Sequence, residues 1–236
     1  MPIPTAGEFW RDALDAVLPQ RCVVCDRFGA ALHAGPERDC REALERAESP
    51  RCDRCWLPAD RLPLVRRLCT RCEAEPPAFD GLRAPYRFVG PVHRAILEAK
   101  FRGVTALLEP LAEAAARVVP EVWAIDLIVP VPLHPRRERQ RGYNQAAITA
   151  RVVSGVLGVP RGELLRRVRA TPAQAGLNAS QRARNLGAAF ASDPVSGVVL
   201  LVDDVATTGA TFDAAARALR DAGAARVYAL SLARED

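Results

Sequence analysis

Residues 198–211 read VVLLVDDVATTGAT. Val198–Val202 is apolar at every position, the pattern of a strand buried on both faces of a parallel sheet. Such a strand delivers Asp203 and Asp204 to the carboxyl edge of the sheet, where open α/β domains bind ligands. The residues that follow, Val205, Ala206, Thr207, Thr208, Gly209, Ala210 and Thr211, are small or hydroxyl-bearing and lead into a helix expected over about 211–222. Small residues at a helix start let several backbone N–H groups converge on an anion, and threonine hydroxyls add donors. Two carboxylates able to accept from a vicinal diol, set beside such a cradle, match a ribose 5-phosphate. A plainer reading of the same residues makes Asp203 a helix cap and the threonines a turn. Neither GxxxxGK[ST] nor GxGxxG occurs in the chain.

Working outward, apolar runs and helical stripes alternate. Strands are expected over Ala84–Val89, Ile125–Val131 and Val227–Leu232. Helices are expected over Val92–Phe101, Ala106–Val119 (where Pro110 marks a break or the true start) and Tyr143–Leu157. In the helix after the acidic pair, Phe212, Ala215, Ala216 and Leu219 form the buried stripe and Gly223 the stop. This alternation predicts an α/β domain with a mostly parallel sheet over residues 78–236.

All seven cysteines lie before residue 73. An odd number, with no export signal in front, points to metal rather than to a disulfide framework. Cys52-x2-Cys55 and Cys69-x2-Cys72, thirteen residues apart, form two knuckles able to close a tetrahedron around zinc. Four protein ligands leave no open position, so the site is structural. Cys22-x2-Cys25 with Cys40 supplies three sulfurs. A fourth ligand for a second zinc comes from His33, Glu37 or Asp39, or else these thiols simply pack. The cysteine-rich zinc-binding domain is placed at 21–77, after a short helix within residues 1–20 that carries Phe9, Trp10, Ala13, Leu14, Val17 and Leu18 and stops at Pro19.

The 236 residues are 49% apolar and 26% charged, with a mean hydropathy of −0.03, an ordinary globular balance. No apolar run approaches the ~18–20 residues that span a bilayer. The first residues lack the basic, then apolar, order of a secretory signal. Membrane insertion and secretion are therefore excluded and a cytoplasmic location is expected. Of 33 basic residues 32 are arginine, which weakens any argument from arginine abundance and draws attention to the single lysine, Lys100. The net charge of +5 permits phosphate or nucleic-acid ligands without demanding them.

DDVATTGAT resembles the phosphoribosyl pyrophosphate (PRPP) signature of type I phosphoribosyltransferases. With the cysteine knuckles in front, the chain resembles the ComF competence family (ComFC-like). YRFVGPVHRAILEAKFRG resembles that family's opening strand–helix, VPVPLHPRRERQRGYNQ its basic pyrophosphate-side loop, and LLRRVRATPAQAGLNASQRARNLGAAF the segment before the signature strand. The resemblance runs from about residue 20 to 234. It implies a type I phosphoribosyltransferase-like domain behind a zinc ribbon, with Asp203 and Asp204 on the ribose hydroxyls and Thr207, Thr208, Gly209 and Thr211 on the 5-phosphate. Lys100 falls on the family's lysine. Within Pro130–Arg141, Arg136, Arg137, Arg139 and Arg141 are candidates to face pyrophosphate, and a solvated basic face explains some of them. Two departures stand out: Glu37 occupies the place of a fourth cysteine at the first metal site, and Val104 stands where the family often has Asp.

Function follows in two versions. In a working phosphoribosyltransferase, Mg²⁺ and the basic loop (Arg137, Arg141), together with Lys100, stabilise departing pyrophosphate. His134 is the only candidate for a general base, and no element names an acceptor. In a binding module tied to DNA uptake and natural transformation, single-stranded DNA follows a track of Arg161, Arg166, Arg167, Arg169, Arg182 and Arg184, although that segment has no aromatic before Phe190 to stack on bases. The resemblance also permits the zinc end to dock a competence helicase.

Overall fold

The computed structural model describes residues 21–35, 38–58, 67–168 and 189–236. The helix expected within residues 1–20, together with Glu37, Arg169, Arg182 and Arg184, lies outside them. The cysteine-rich part contains a small antiparallel pair, β1 (Ala34–Gly35) and β2 (Arg38–Asp39), and one short helix, α1 (Thr70–Ala74). The α/β part then runs β3 (Gly81–Arg83), β4 (Tyr86–Arg87), α2 (Gly90–Phe101), α3 (Leu108–Arg117), β5 (Leu127–Pro130), α4 (Pro135–Arg141), α5 (Gln145–Leu157), β6 (Leu165–Arg167), β7 (Phe190–Ser192), β8 (Val198–Ala206), α6 (Ala210–Asp221) and β9 (Arg226–Arg234).

The sheet has the order β3-β9-β8-β5, with β4 extending the β3 side of β9, and every pairing is parallel. The pleat of β8 divides the core. Leu200 and Val202 face Val92, Ile96, Leu111 and Val153 on one side, while Val199 and Leu201 face Phe212, Ala215, Leu219 and Phe190 on the other. All four strand residues are fully buried, so the apolar run at 198–202 has the two-faced burial its composition predicts. Shortening Leu200 or Leu201 to Ala removes packing worth about 2–5 kcal/mol.

Register places the site. β5 pairs with β8 only from Leu127↔Val199 to Pro130↔Val202, whereas β9 follows β8 on to Ala206↔Arg234. Beyond Val202, then, the strand that carries the acidic pair has a neighbour on one side and an open edge on the other.

The structure departs from the sequence pattern at definite places. The strand expected over Ala84–Val89 begins earlier, at Gly81, and is split at Pro85, which has no N–H to give a ladder; the Pro85 carbonyl instead accepts from the Ala47 N–H at 2.9 Å. Pro110 sits in the third position of α3, where its missing N–H costs no hydrogen bond. The basic stretch after β5 forms the helix α4 rather than a loop, started by Pro135 and closed by Gly142 at φ 79°. The antiparallel pair β6–β7 was not signalled by the pattern.

Candidate functional site

Asp203 and Asp204 are consecutive residues of an extended strand, so the pleat sends their side chains to opposite faces of the same edge. Asp204 is buried and lies on the α2 side. Lys100 reaches it from the last turn of α2, one turn beyond the buried Ile96, and Nζ stands 2.9 Å from Asp204 Oδ1. Asp203 faces the β6–β7 side and accepts the Asp204 N–H at 2.8 Å through Oδ1. Solvent reaches part of the Asp203 side chain, yet protein crowds the carboxyl. Burial is the main cause pushing its pKa up to about 7; the charge of Asp204 adds to this, and Lys100 and Arg167 oppose it.

After Ala206 the chain turns through Thr207 and Thr208, both exposed, to Gly209 at φ 79°, the residue before α6. Thr208 Oγ1 accepts the Ala210 N–H at 3.3 Å. Val205 is partly buried and Ala206 fully so; these two offer backbone, not side chains. The turn is therefore short, tight and rich in donors at the carboxyl end of β8.

The basic stretch is sorted by its helix. His134 caps α4, its Nδ1 accepting the Arg136 N–H at 3.2 Å. Arg136, Arg137 and Arg139 are exposed. Arg141 donates to Gln145 Oε1 at 3.1 Å and lies over the Phe101 ring at 5.5 Å. Tyr143 donates its hydroxyl to the Ala99 carbonyl, and Asn144 caps α5 while donating to the Val131 carbonyl at 3.1 Å, so both brace the loop from within.

Arg167 lies near Asp203, although its sequence context suggests a nucleic-acid track. It is half-buried on β6, packs over the Phe190 ring at 5.4 Å, and feels both Arg137 and Asp203; burial lowers its pKa, the Arg137 charge lowers it further, and Asp203 opposes this. No motif marks it, because a three-residue strand whose partner lies more than twenty residues away leaves no local pattern. Its would-be companions Arg161 and Arg166 point elsewhere, toward Glu163 at 3.9 Å and Asp193 at 2.8 Å.

The cysteines gather into two sets: Cys52, Cys55, Cys69 and Cys72, and Cys22, Cys25, Cys40 with His33, the ligand atoms of each lying within 4.8 Å of one another. A tetrahedron with Zn–S bonds of ~2.3 Å puts its sulfurs about 3.8 Å apart. Cys55 Sγ and Cys69 Sγ are 3.7 Å apart, and Cys25 Sγ is 3.3 Å from His33 Nδ1. Charge tells the same story. The thiol of Cys72 donates to Cys55 and holds it down to about 5; Cys72 itself is pushed far up by that bond, by burial and by the Cys55 charge. Such a set can ionise fully only around a cation. Both sets could coordinate a metal, and their donors suit zinc. Of the two described candidates for a fourth ligand at the first set, His33 is the one the fold brings in, while Asp39 is turned to Arg41 at 2.5–3.0 Å.

Comparison with known proteins then bears on the whole chain. No family model matches it. The "DNA utilization protein YhgH" of Salmonella typhimurium is 33% identical over 226 residues, covering 92% of this chain and 98% of that protein. The "Competence protein F" of Haemophilus influenzae is 30% identical over 227 residues, covering 91% and 96%. This chain belongs to the ComF family. The "Competence protein ComFC" of Bacillus subtilis, 27% identical over 207 residues, covers 83% of this ComF chain and 82% of its own length. An orotate phosphoribosyltransferase from Aeropyrum pernix overlays 60% of the chain at 17% identity with a TM-score of 0.33, too loose a likeness to count either way.

In this ComF-family protein the residues singled out by sequence fall into three places. Lys100, Asp203 and Asp204 lie together at the carboxyl end of β8 with the turn to Thr211 behind them, His134 and Arg137 lie at the start of α4, and the cysteines form two sets that could coordinate a metal. Among the described residues no helix is long and apolar enough to cross a membrane.

Proposed function

We propose that this ComF-family protein binds PRPP, or another ribose 5-phosphate, at the carboxyl edge of β8. The observation that carries the reading is the acidic pair on a strand edge left open by β5, with Lys100 at 2.9 Å from Asp204 and Arg167 beside Asp203. The ribose hydroxyls donate to Asp203 and Asp204. The 5-phosphate sits in the turn of Thr207, Thr208, Gly209, Ala210 and Thr211, where backbone N–H groups and hydroxyls are the donors. Lys100, Arg137 and Arg141 are the cations offered to the pyrophosphate. Mg²⁺, carried in with PRPP, supplies charge neutralisation for the pyrophosphate.

Should turnover follow, it is of the phosphoribosyltransferase class, and the residues act by placing donors against charge that develops on departing pyrophosphate. His134 accepts the Arg136 N–H at Nδ1, which leaves Nε2 as a donor rather than a base while the cap is kept. The names of the relatives, a DNA utilization protein and competence proteins, support a role in DNA uptake or utilisation, a setting in which a competence helicase is a suitable partner. Single-stranded DNA as the direct ligand has less behind it, since Arg161 and Arg166 are engaged by acidic neighbours. Crystals soaked with PRPP and Mg²⁺ test the reading: density for the phosphate at Thr207–Thr211 and ribose on the acidic pair is expected, and ligand bound elsewhere overturns it.

A further inference from the structure

Arg234 ends β9 as a fully buried guanidinium, 1% exposed, whose hydrogen bonds go to backbone carbonyls rather than to a carboxylate. Its Nε donates to the Cys55 carbonyl at 3.1 Å, inside a metal knuckle. Its Nη1 donates to the carbonyl of Ala206 at 2.8 Å, to that of Thr207, and to that of Glu235 at 2.7 Å. Burial lowers its pKa, and the nearby charges of Cys55 and Asp236 offset part of that cost. A second arginine completes the set: Arg71, on α1 between Cys69 and Cys72, donates to the Thr208 carbonyl at 3.1 Å.

Three consecutive peptide groups, those following Ala206, Thr207 and Thr208, thus have their carbonyls held by arginines. In a trans peptide the N–H points opposite to the C=O. Fixing those carbonyls toward the cysteine module turns the N–H groups of Thr207, Thr208 and Gly209 the other way, and among the described residues no hydrogen bond claims them. Successive N–H groups so aligned make an anion nest. We infer that Arg234 and Arg71 are positioning residues that aim the donors of this turn, so that the cysteine module is a working part of the phosphate seat. This inference rests on the proposed sugar-phosphate reading for its ligand, and on geometry alone for the clamp.

The test uses the full-length, zinc-loaded protein with Arg71→Ala and Arg234→Lys. Arg71 is exposed, so its loss leaves the fold and zinc content intact; the lysine keeps the buried charge but cannot span both sides. Backbone ¹⁵N relaxation at Thr207, Thr208 and Gly209 reads the clamp without ligand. Calorimetry with Mg²⁺–PRPP reads its consequence. Expected are lowered order parameters in that turn with Val199–Leu201 unchanged, and affinity weakened several-fold by Arg71→Ala and at least tenfold by Arg234→Lys, at equal zinc content. An unchanged turn in both variants overturns the clamp. A loosened turn with unaltered affinity overturns the positioning role. Failure of the unmutated protein to bind PRPP would sink the sugar-phosphate reading and not the clamp, on which relaxation rules by itself.

Discussion

Lys100 Nζ stands 2.9 Å from Asp204 Oδ1, joining the last turn of α2 to the end of the central strand. The pair is mostly covered, with side-chain exposures of 20% and 10%, so neither charge is screened as a surface ion would be. Removing one partner of a fully buried pair costs ~3–5 kcal/mol; with this residual exposure Lys100→Ala should cost about 1–3 kcal/mol in urea unfolding. Lys100→Arg restores the charge but not the fit of a compact ammonium, and it should recover stability better than ligand affinity. Full recovery of PRPP affinity by arginine would show that the lysine's shape is immaterial.

Asp203 supplies a pH signature. Its folded pKa of about 7 lies above the ordinary 3.8, so the folded state holds the proton more tightly than the unfolded one. The associated stability is present below the unfolded value and is lost as pH rises to the folded value. Asp203→Asn, which cannot ionise, should therefore raise the melting temperature more at pH 8 than at pH 5. Ribose hydroxyls donating to the carboxylate favour its ionised form, so PRPP binding near pH 6 should release a proton. Calorimetry in buffers of different ionisation enthalpy measures that release, and its absence would move the hydroxyls off Asp203.

The metal sets make a countable prediction. Two zinc ions per chain are expected, falling to one in His33→Ala and remaining two in Glu37→Ala. Chelation should release the cysteine-rich region before the sheet, since metal binding there contributes directly to folding. Elemental analysis of the purified variants decides between the two side chains.

Gly209 holds φ 79° with the Phe79 ring 3.6 Å from where a Cβ would stand, so space is adequate and backbone conformation is the constraint. Gly209→Ala should cost about 1–2 kcal/mol, the penalty for an L-residue in the left-handed region. Ligand affinity should fall with it, because the relaxed turn no longer aims its N–H groups together. Equal thermal stability of the variant would contradict this account of the turn.

What was legible in the sequence follows from how local each signal is. Val198–Val202 declares a two-faced strand by composition, and the acidic pair, the small turn and the helical stripe from Phe212 to Leu219 sit within a few residues of it. The CxxC knuckles are equally local. His33 was one of several candidates, and only the fold distinguishes it, by bringing Nδ1 to 3.3 Å from Cys25 Sγ. Arg167, legible only as part of an arginine track, and Arg234, not legible at all, fall short for the same reason. One acts across a small antiparallel pair, the other on backbone carbonyls 28 and 179 positions away, and a carbonyl acceptor has no residue identity to recognise. Pro85 shows the converse: a single residue splits a strand whose apolar pattern runs straight through it.

The central claim is that the end of β8 and the turn behind it seat a sugar phosphate. Calorimetry of the zinc-loaded protein with Mg²⁺–PRPP, beside an Asp203→Ala/Asp204→Ala variant of unchanged fold, measures it directly. Saturable binding to the unmutated chain that the double variant loses is the predicted result. No heat from the unmutated chain, or equal affinity in both, would contradict the claim.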